Sequence, residues 1–378
     1  MKKYITKLIA LTLCFASLTL SVHAAQISDV HTMVAETSAG FSALHGKPGT
    51  LLSRGEEFPA GTSACDWTAM ALALSGSRED YDAYLKDLET FVQTRYARNG
   101  QLERVKSTTY HRIALTVWAL GGNPRNFGTK PDGTAIDLIA EGTYGFAGDS
   151  VGAQGLNGWI YALLTLDAGK VIVPENVKFT REDMISAIVN AQEPDGGFGL
   201  GTGKSDIDIT AMALQALGPY RDQYPEVVEA GLAYLSGKMN ENCRYVSYGA
   251  ENAESAAQVI LALCALGIDP ETDSRFCRGS QTLLTGMEVF VQPDHTYGHI
   301  REDDTGDALA TAQVLLALRA VEKLRSGEGW IFDFTDSPSP QKTAPSHMLW
   351  WGLAAGVAVL IICAAMAGKR KIYGKNNR

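Results

Sequence analysis

The side chains of this sequence best suited to bind or react with something stand at the starts of Ala/Leu-rich runs. With the ends of those runs aligned, the residue ten positions before each end is Asp66, His111, Asn157, Asp208, Ala257 or Ala312. Thr109, Asp206 and Ser255 fall in a second column, with Tyr110 beside it. Four polar residues on one side and two small apolar ones on the other describe a lopsided pocket. Trp67 and Trp159 lie close enough to the run starts to stack on a planar ligand. Asp, Asn and Ser are also the usual helix caps, and in that role they would satisfy only their own helices. His111 is a poor cap and so the stronger binding candidate. The expected ligand contacts are therefore Asp66, Trp67, Tyr110, His111, Asn157, Trp159, Asp206, Asp208 and Ser255, with no residue assigned to catalysis.

Other reactive types are sparse. His295 and His299, with Asp294, Glu302, Asp303 and Asp304, are the one metal-like cluster. Asp294–Gly298 aligns with Asp195–Gly199, however, which makes the cluster a variant inter-helix loop, and no metal is expected. No CxxC spacing occurs. Cys264 sits in an apolar run, while Cys243 and Cys277 could pair or stay free. Between the terminal segments the chain carries 25 Lys and Arg against 42 Asp and Glu. A field of that sign repels phosphate backbones, so nucleic acid is excluded as a partner.

The elements that must position these residues are repeats. Thr68-Ala69-Met70-Ala71-Leu72 recurs as Thr210-Ala211-Met212-Ala213-Leu214, and Gln258–Leu263 recurs as Gln313–Leu318. The runs end at Gly76, Gly121, Asp167, Gly218, Gly267 and Glu322, spaced 45 to 55 residues apart. Runs such as Ile207–Leu217 and Ala256–Leu266 are apolar nearly all round and must be buried on every side. Their partners, Tyr81–Tyr96, Arg181–Ala191, Pro225–Leu235 and Ser280–Val291, are amphipathic and more charged. Six helix pairs whose inner members cannot face water are expected to close on themselves. The predicted fold is all-α, an α6/α6 toroid with the starts of the inner helices at one mouth. Such starts bring positive dipole ends and unpaired N–H groups to that mouth.

The termini read as sorting signals. Residues 1–25 combine Lys2, Lys3 and Lys7 with the apolar run Leu8–Leu20 and small residues near Ala24, the layout of a secretory signal peptide. Residues 348–368 form an uncharged stretch of spanning length, followed by a basic tail over 369–378. The expected organisation is a signal peptide, a toroid over 26–335, a Pro/Ser linker over 336–347, and one membrane helix that leaves the toroid outside the cell.

The Asp195-Gly196-Gly197-Phe198-Gly199 loop ahead of an Ala/Leu-rich helix resembles the prenyltransferase/squalene-oxidase repeats of terpenoid cyclase-type toroids. With Cys65-Asp66-Trp67, Tyr110-His111-Arg112, Gln154–Gly158 and Asn252–Ser255, the chain looks closer still to bacterial secreted proteins of that repeat family. Their toroid is similar to that of the cobalamin carriers intrinsic factor and transcobalamin. This resemblance implies a non-catalytic, membrane-anchored receptor for a small molecule or peptide at the toroid mouth. A corrinoid is the first ligand to consider, held with the help of a separate secreted β-rich partner. A surface scaffold binding another protein is an alternative. A terpenoid cyclase or prenyltransferase-like enzyme is another, because Asp206-Ile207-Asp208-Ile209 resembles the Asp-x-Asp-Asp motif of class II terpene cyclases. In that motif an acid protonates an alkene, and Asp208 matches the donor. Ile209 stands where the last acid belongs, and cyclases of that class pair two toroids where this chain has room for one.

Overall fold

A computed structural model of the chain describes residues 30–44 and 49–335. Twelve helices are present among the described residues, and the fold is mostly helical. The first covers residues 30–43 (α1). It is followed by α2 (Ser63–Leu74), α3 (Tyr81–Asn99), α4 (Thr108–Ala119), α5 (Leu138–Gly142), α6 (Leu156–Ala168), α7 (Arg181–Val189), α8 (Ile207–Leu217), α9 (Pro225–Lys238), α10 (Ala253–Ala265), α11 (Leu283–Met287) and α12 (Ala308–Ser326). A two-residue antiparallel ribbon pairs Val246–Ser247 (β1) with Ala250–Glu251 (β2). The signal-peptide, linker, membrane-helix and tail expectations all fall outside the described residues. Among the described residues no helix is long and apolar enough to cross a membrane. The described residues thus give no support to the expected single-pass anchor or to the cell-surface placement built on it.

The even-numbered helices are the Ala/Leu-rich runs, and each packs against the next. Contacts run from α2 to α4, α6, α8, α10 and α12, and α12 returns to α2. In α10 every residue from Ser255 to Leu263 is buried. A helix with no polar face has no stable position at a surface, so neighbours must cover its whole circumference. The odd-numbered helices lie outside this set, as α3 on α2, α5 on α4, α7 on α6, α9 on α8 and α11 on α10. α3 shows the division of labour: Tyr84, Leu88, Val92 and Tyr96 point inward at helical spacing while the rest meet water. α1 is tied to α12 by His31 Nδ1 and Glu322 Oε1 at 2.6 Å.

The expected helix over Ser280–Val291 is broken. Thr282 caps the five-residue α11, and a 3₁₀ turn over Glu288–Phe290 replaces the next turn. Gly286 lets the Cys243 carbonyl approach so closely that a Cβ there would lie 2.5 Å from it. This contact and the β-branched Val289 work against a longer helix. Cys243 and Cys277 are both free thiols.

The loops share a turn that the sequence marks with Pro-Asp in three of four copies, at Pro131-Asp132, Pro194-Asp195 and Pro293-Asp294. In each, a residue's N–H bonds to the carbonyl four positions on, and its carbonyl accepts the N–H three positions on. This joins Lys130 with Gly133 and Thr134, Glu193 with Gly196 and Gly197, Asn240 with Cys243 and Arg244, and Gln292 with His295 and Thr296. The third position is left-handed every time, with φ of 86° at Gly133, 84° at Gly196, 54° at Cys243 and 64° at His295. In three of the copies an aromatic follows two residues later and is buried: Phe198, Tyr245 and Tyr297. The Phe198 and Tyr297 amides donate to Thr210 Oγ1 at 2.8 Å and Thr311 Oγ1 at 2.9 Å, clipping each loop to the inner helix that follows.

Glycine suits this backbone and a β-carbon does not. Replacing Gly196 with Ala destabilises the protein by about 1–2 kcal/mol or more, because the new Cβ is also driven to within 2.6 Å of the Ala230 carbonyl. Replacing His295 with Gly stabilises it by about 0.5–1 kcal/mol. Thermal melts of the two variants should move in opposite directions. A destabilised His295→Gly would show that the imidazole contributes more than the strain it imposes.

Candidate functional site

The inner helices start on the loop side described above, and their starts hold most of the polar residues singled out in the sequence. These residues divide into those committed to the fold and those left facing a cleft.

Asp66 is committed. It is fully buried. Its Oδ2 accepts from Arg112 Nε at 2.9 Å, and its Oδ1 accepts from the Tyr84 hydroxyl at 2.7 Å and the Gly61 amide at 2.9 Å. Arg112 uses its other nitrogens on Ser63 Oγ and the Gly61 carbonyl. The group joins α2 to α4, and no bond is left for a ligand. Tyr110 is also buried, with its hydroxyl accepting the Leu102 and Glu103 amides and its ring edge against Phe146. His111 has no exposure at all. Its Nε2 lies 2.6 Å from the Gly142 carbonyl, which can only accept, so Nε2 carries the proton. Burial pushes the imidazole down to about 4, leaving it neutral, and Nδ1 is buried with no hydrogen-bond partner. Trp159 packs edge-on against Phe179, away from Trp67. Asp206 caps α8, accepting the Ile209 amide at 3.0 Å.

The remaining residues meet. Trp67 on α2 sits edge to face with Tyr161 on α6, their ring centres 6.2 Å apart. With Asn157, Ser63 and Thr108 they line a cleft of about 190 Å³. Asn157 Oδ1 is buried there without a partner. Tyr161 also connects to the next helix, since burial and the nearby Asp208 carboxyl both hold its hydroxyl in the protonated form.

Burial raises two carboxyls of the group: Asp66, where Arg112 and Tyr84 draw it partly back, and Asp208, at the second position of α8. Burial pushes the pKa of Asp208 up to about 6, and the neighbouring Asp206 and Glu254 carboxylates add to the shift. The Ser255 hydroxyl is near enough to draw it partly back. No well-formed hydrogen bond closes between the two, so Asp208 Oδ1 and Ser255 Oγ are both buried without a partner. A carboxyl half-protonated near pH 6 can give up a proton at neutral pH, which an ordinary aspartate cannot. Glu254 is held by His299 Nδ1 at 2.8 Å, and His295 faces Glu36 instead. Among the described residues no group of His, Cys, Asp and Glu is arranged to hold a metal.

Tyr161 escaped the sequence reading although a signal was available. It lies four residues after Asn157, one turn along the same helix face. Arg112 follows His111 directly, but its partner Asp66 is 46 residues away and nothing local announces the pair.

No family model matches the chain. Over 272 residues it is 25% identical to drimenyl diphosphate synthase of Streptomyces showdoensis, an alignment covering 70% of this chain and 50% of that protein. The chain therefore spans about half the length of the curated relative it matches. The likeness is consistent with a terpenoid cyclase-like helical fold. It overturns the expectation of a non-catalytic ligand-binding receptor, since the similar protein is a synthase. It lends no support to secretion, to corrinoid capture or to a β-rich partner.

The strain on Asp208 has a measurable consequence. Its folded pKa lies above the unfolded value, so the stability it contributes at low pH is lost as pH rises from about 4 through about 6. Asp208→Asn should melt higher than the unsubstituted protein at pH 8 and at the same temperature at pH 4. Equal melting at both pH values would mean that the carboxyl is not strained.

Proposed function

We propose that the chain is a terpenoid cyclase-like enzyme in which the inner helices close into an α/α toroid and Asp208 is the proton donor. The return of α12 to α2 supports the closed arrangement. The observation that carries the functional reading is Asp208 itself, a largely buried carboxyl raised to about 6 with an unpartnered oxygen, whose charge acts on Tyr161, a residue that lines the cleft with Trp67. The similarity to drimenyl diphosphate synthase supports the same class of chemistry.

In this reaction the Asp208 O–H bond breaks as an alkene carbon takes the proton. The π electrons form the new C–H bond, and a carbocation is left on the other carbon of that double bond. A second double bond of the same chain attacks that cation and closes a ring. Loss of a proton from the cyclised product ends the sequence. Burial serves both steps: it keeps Asp208 protonated, and it excludes water that would quench the cation. The faces of Trp67 and Tyr161 supply electron density for the positive charge, each contact worth about 0.5–2 kcal/mol. Asp206 orients the start of α8 by capping it, which leaves Asp208 as the single acid of the pair free to react.

Incubation with linear isoprenoids, both diphosphate esters and squalene, should yield cyclised products detectable by mass spectrometry. Asp208→Asn should lower the yield by at least about 100-fold, as expected for loss of a general acid. The rate should fall tenfold per pH unit above about pH 6, because only the protonated acid reacts. Cyclisation that survives in Asp208→Asn, or a flat profile between pH 6 and 8, would overturn the assignment.

A further inference from the structure

After α12 ends at Ser326, residues 327–335 form no further helix, yet they are firmly placed. The segment begins tied to α12. The Glu328 amide donates to the Lys323 carbonyl at 2.9 Å, and the Glu328 carboxylate accepts from Arg319 at 2.9 Å. It finishes on α6, where the Phe334 amide donates to the Ala168 carbonyl at 2.9 Å. Just past that helix Lys170 holds Asp333 at 3.5 Å and Thr335 Oγ1 at 3.0 Å. Between the ties the apolar side chains turn inward. Ile331, Phe332 and Phe334 are 3%, 2% and 7% exposed, and Asp333 is the one exposed residue from 330 to 334. Trp330, Phe332 and Phe334 form a row of rings with centres 5.6 and 6.5 Å apart, and Phe334 stacks on Trp118 of α4 at 5.8 Å.

The two ties fix the path. In the closed series of inner helices, α12 and α6 are three places apart in either direction. Packed helix axes stand about 8–10 Å apart, so a route round the rim is about 24–30 Å long, while opposite helices of a six-membered ring are about 16–20 Å apart. Their facing backbones, about 2.3 Å inside each axis, are nearer still. From Glu328 to Phe334 the chain reaches about 20–22 Å when fully extended. The Asp333 amide donates to the Trp330 carbonyl at 3.2 Å, a turn that draws those residues within about 7 Å and cuts the reach to about 18 Å. That length crosses the ring and does not go round it. The crossing lies over the ends of the inner helices, on the face opposite the starts that carry Asp208 and the cleft lined by Trp67 and Tyr161.

We infer that residues 328–334 are a plug. They close the face on which the inner helices end, and a ligand enters and leaves only by the face on which they start. Phe332 and Phe334 are then the floor of the ring, an apolar surface that keeps water from the far end. The plug rests on the closed ring proposed above, and only its effect on product chemistry rests on the cyclase reading.

Two measurements on the full chain test it. In the first, a photoreactive benzophenone amino acid replaces Phe332, and its cross-links are mapped by mass spectrometry. A strap across the ring has α2 and α4 on one side and α8 and α10 on the other. Cross-links to inner helices of both sides are expected. The same label at Trp330, a larger and half-buried side chain, repeats the test if the Phe332 variant does not fold. Cross-links to one side only, to outer helices only, or to nothing would overturn the plug. The second measurement is product composition. With Phe332→Ala and Phe334→Ala together, water reaches the cation, adds through its oxygen and loses a proton, so the ratio of alcohol to alkene products should rise at least about threefold. Phe334→Leu, which keeps the floor apolar, should leave the ratio unchanged, whereas a purely structural role would lower the yield of both variants without moving it. An unchanged ratio in the double variant would overturn the seal. Absence of any cyclised product from the unsubstituted protein would remove the cyclase reading and leave the cross-links to decide the plug.

Discussion

Six largely apolar helices must each be surrounded, and the molecule meets this constraint by packing every inner helix between two others and closing the series from α12 to α2. The closing seam is reinforced where dispersion alone would be weakest, at the helix ends. Arg319 Nε donates to the Leu74 carbonyl at 3.1 Å, linking α12 to the C-terminal end of α2. The same arginine reaches Glu322 and Glu328. At the opposite end of α2, Asp66 and Arg112 hold α2 to α4. An apolar interface fixes separation but tolerates sliding. A buried ion pair with every lone pair satisfied tolerates almost none, because a small shift leaves a charge uncompensated at a cost of about 3–5 kcal/mol. The register of α2 against both neighbours is therefore set by polar contacts at its two ends.

That fixed register leaves the helix starts unequal. On α8, α10 and α12 the loop turn, its buried aromatic and the cap form a continuous unit, and the first amides are satisfied within the protein. On α2, α4 and α6 no side chain caps the start, and the cleft lined by Trp67 and Tyr161 opens there. Asp208 lies on the boundary between the two halves. Its cap neighbour Asp206 is satisfied, yet Asp208 is buried next to other carboxylates with one oxygen unpaired. A protein selected for stability alone would place an amide or an apolar side chain at that position. Destabilisation kept within electrostatic reach of Tyr161, a ring that lines the cleft, is what a reactive acid requires.

The inner helices were legible in the sequence because the requirement behind them is local. A largely apolar run is visible in each copy, closed by Gly in four of the six, and Ile207–Leu217 matches α8 residue for residue. The shared turn was legible in full as Asp195-Gly196-Gly197-Phe198, and by alignment with it at Asp294–Gly298. Cys243 and His295 fill the left-handed position in other copies, and neither type advertises a positive φ. The short α11 was hidden because a carbonyl from another loop breaks the helix at Gly286, a contact 43 residues away in sequence. The polar columns were read correctly as helix starts. Their burial was not readable, because Asp66 and His111 look the same in sequence whether they face water or a neighbouring helix.

The pair Asp206 and Asp208 shows why the missing third acid of the motif need not disable the site. A carboxyl becomes a usable proton donor through its surroundings and not through the number of acids written beside it. Asp206 is already engaged with the Ile209 amide, and the residue at 209 contributes that amide whatever its side chain. Isoleucine there adds apolar bulk next to Asp208, which raises the penalty on the charged form. The negative field that a third aspartate would provide is supplied by Glu254 of the adjacent helix, restrained by His299. The acid thus draws its unusual protonation from two helices, a property of packing that a one-dimensional motif cannot express.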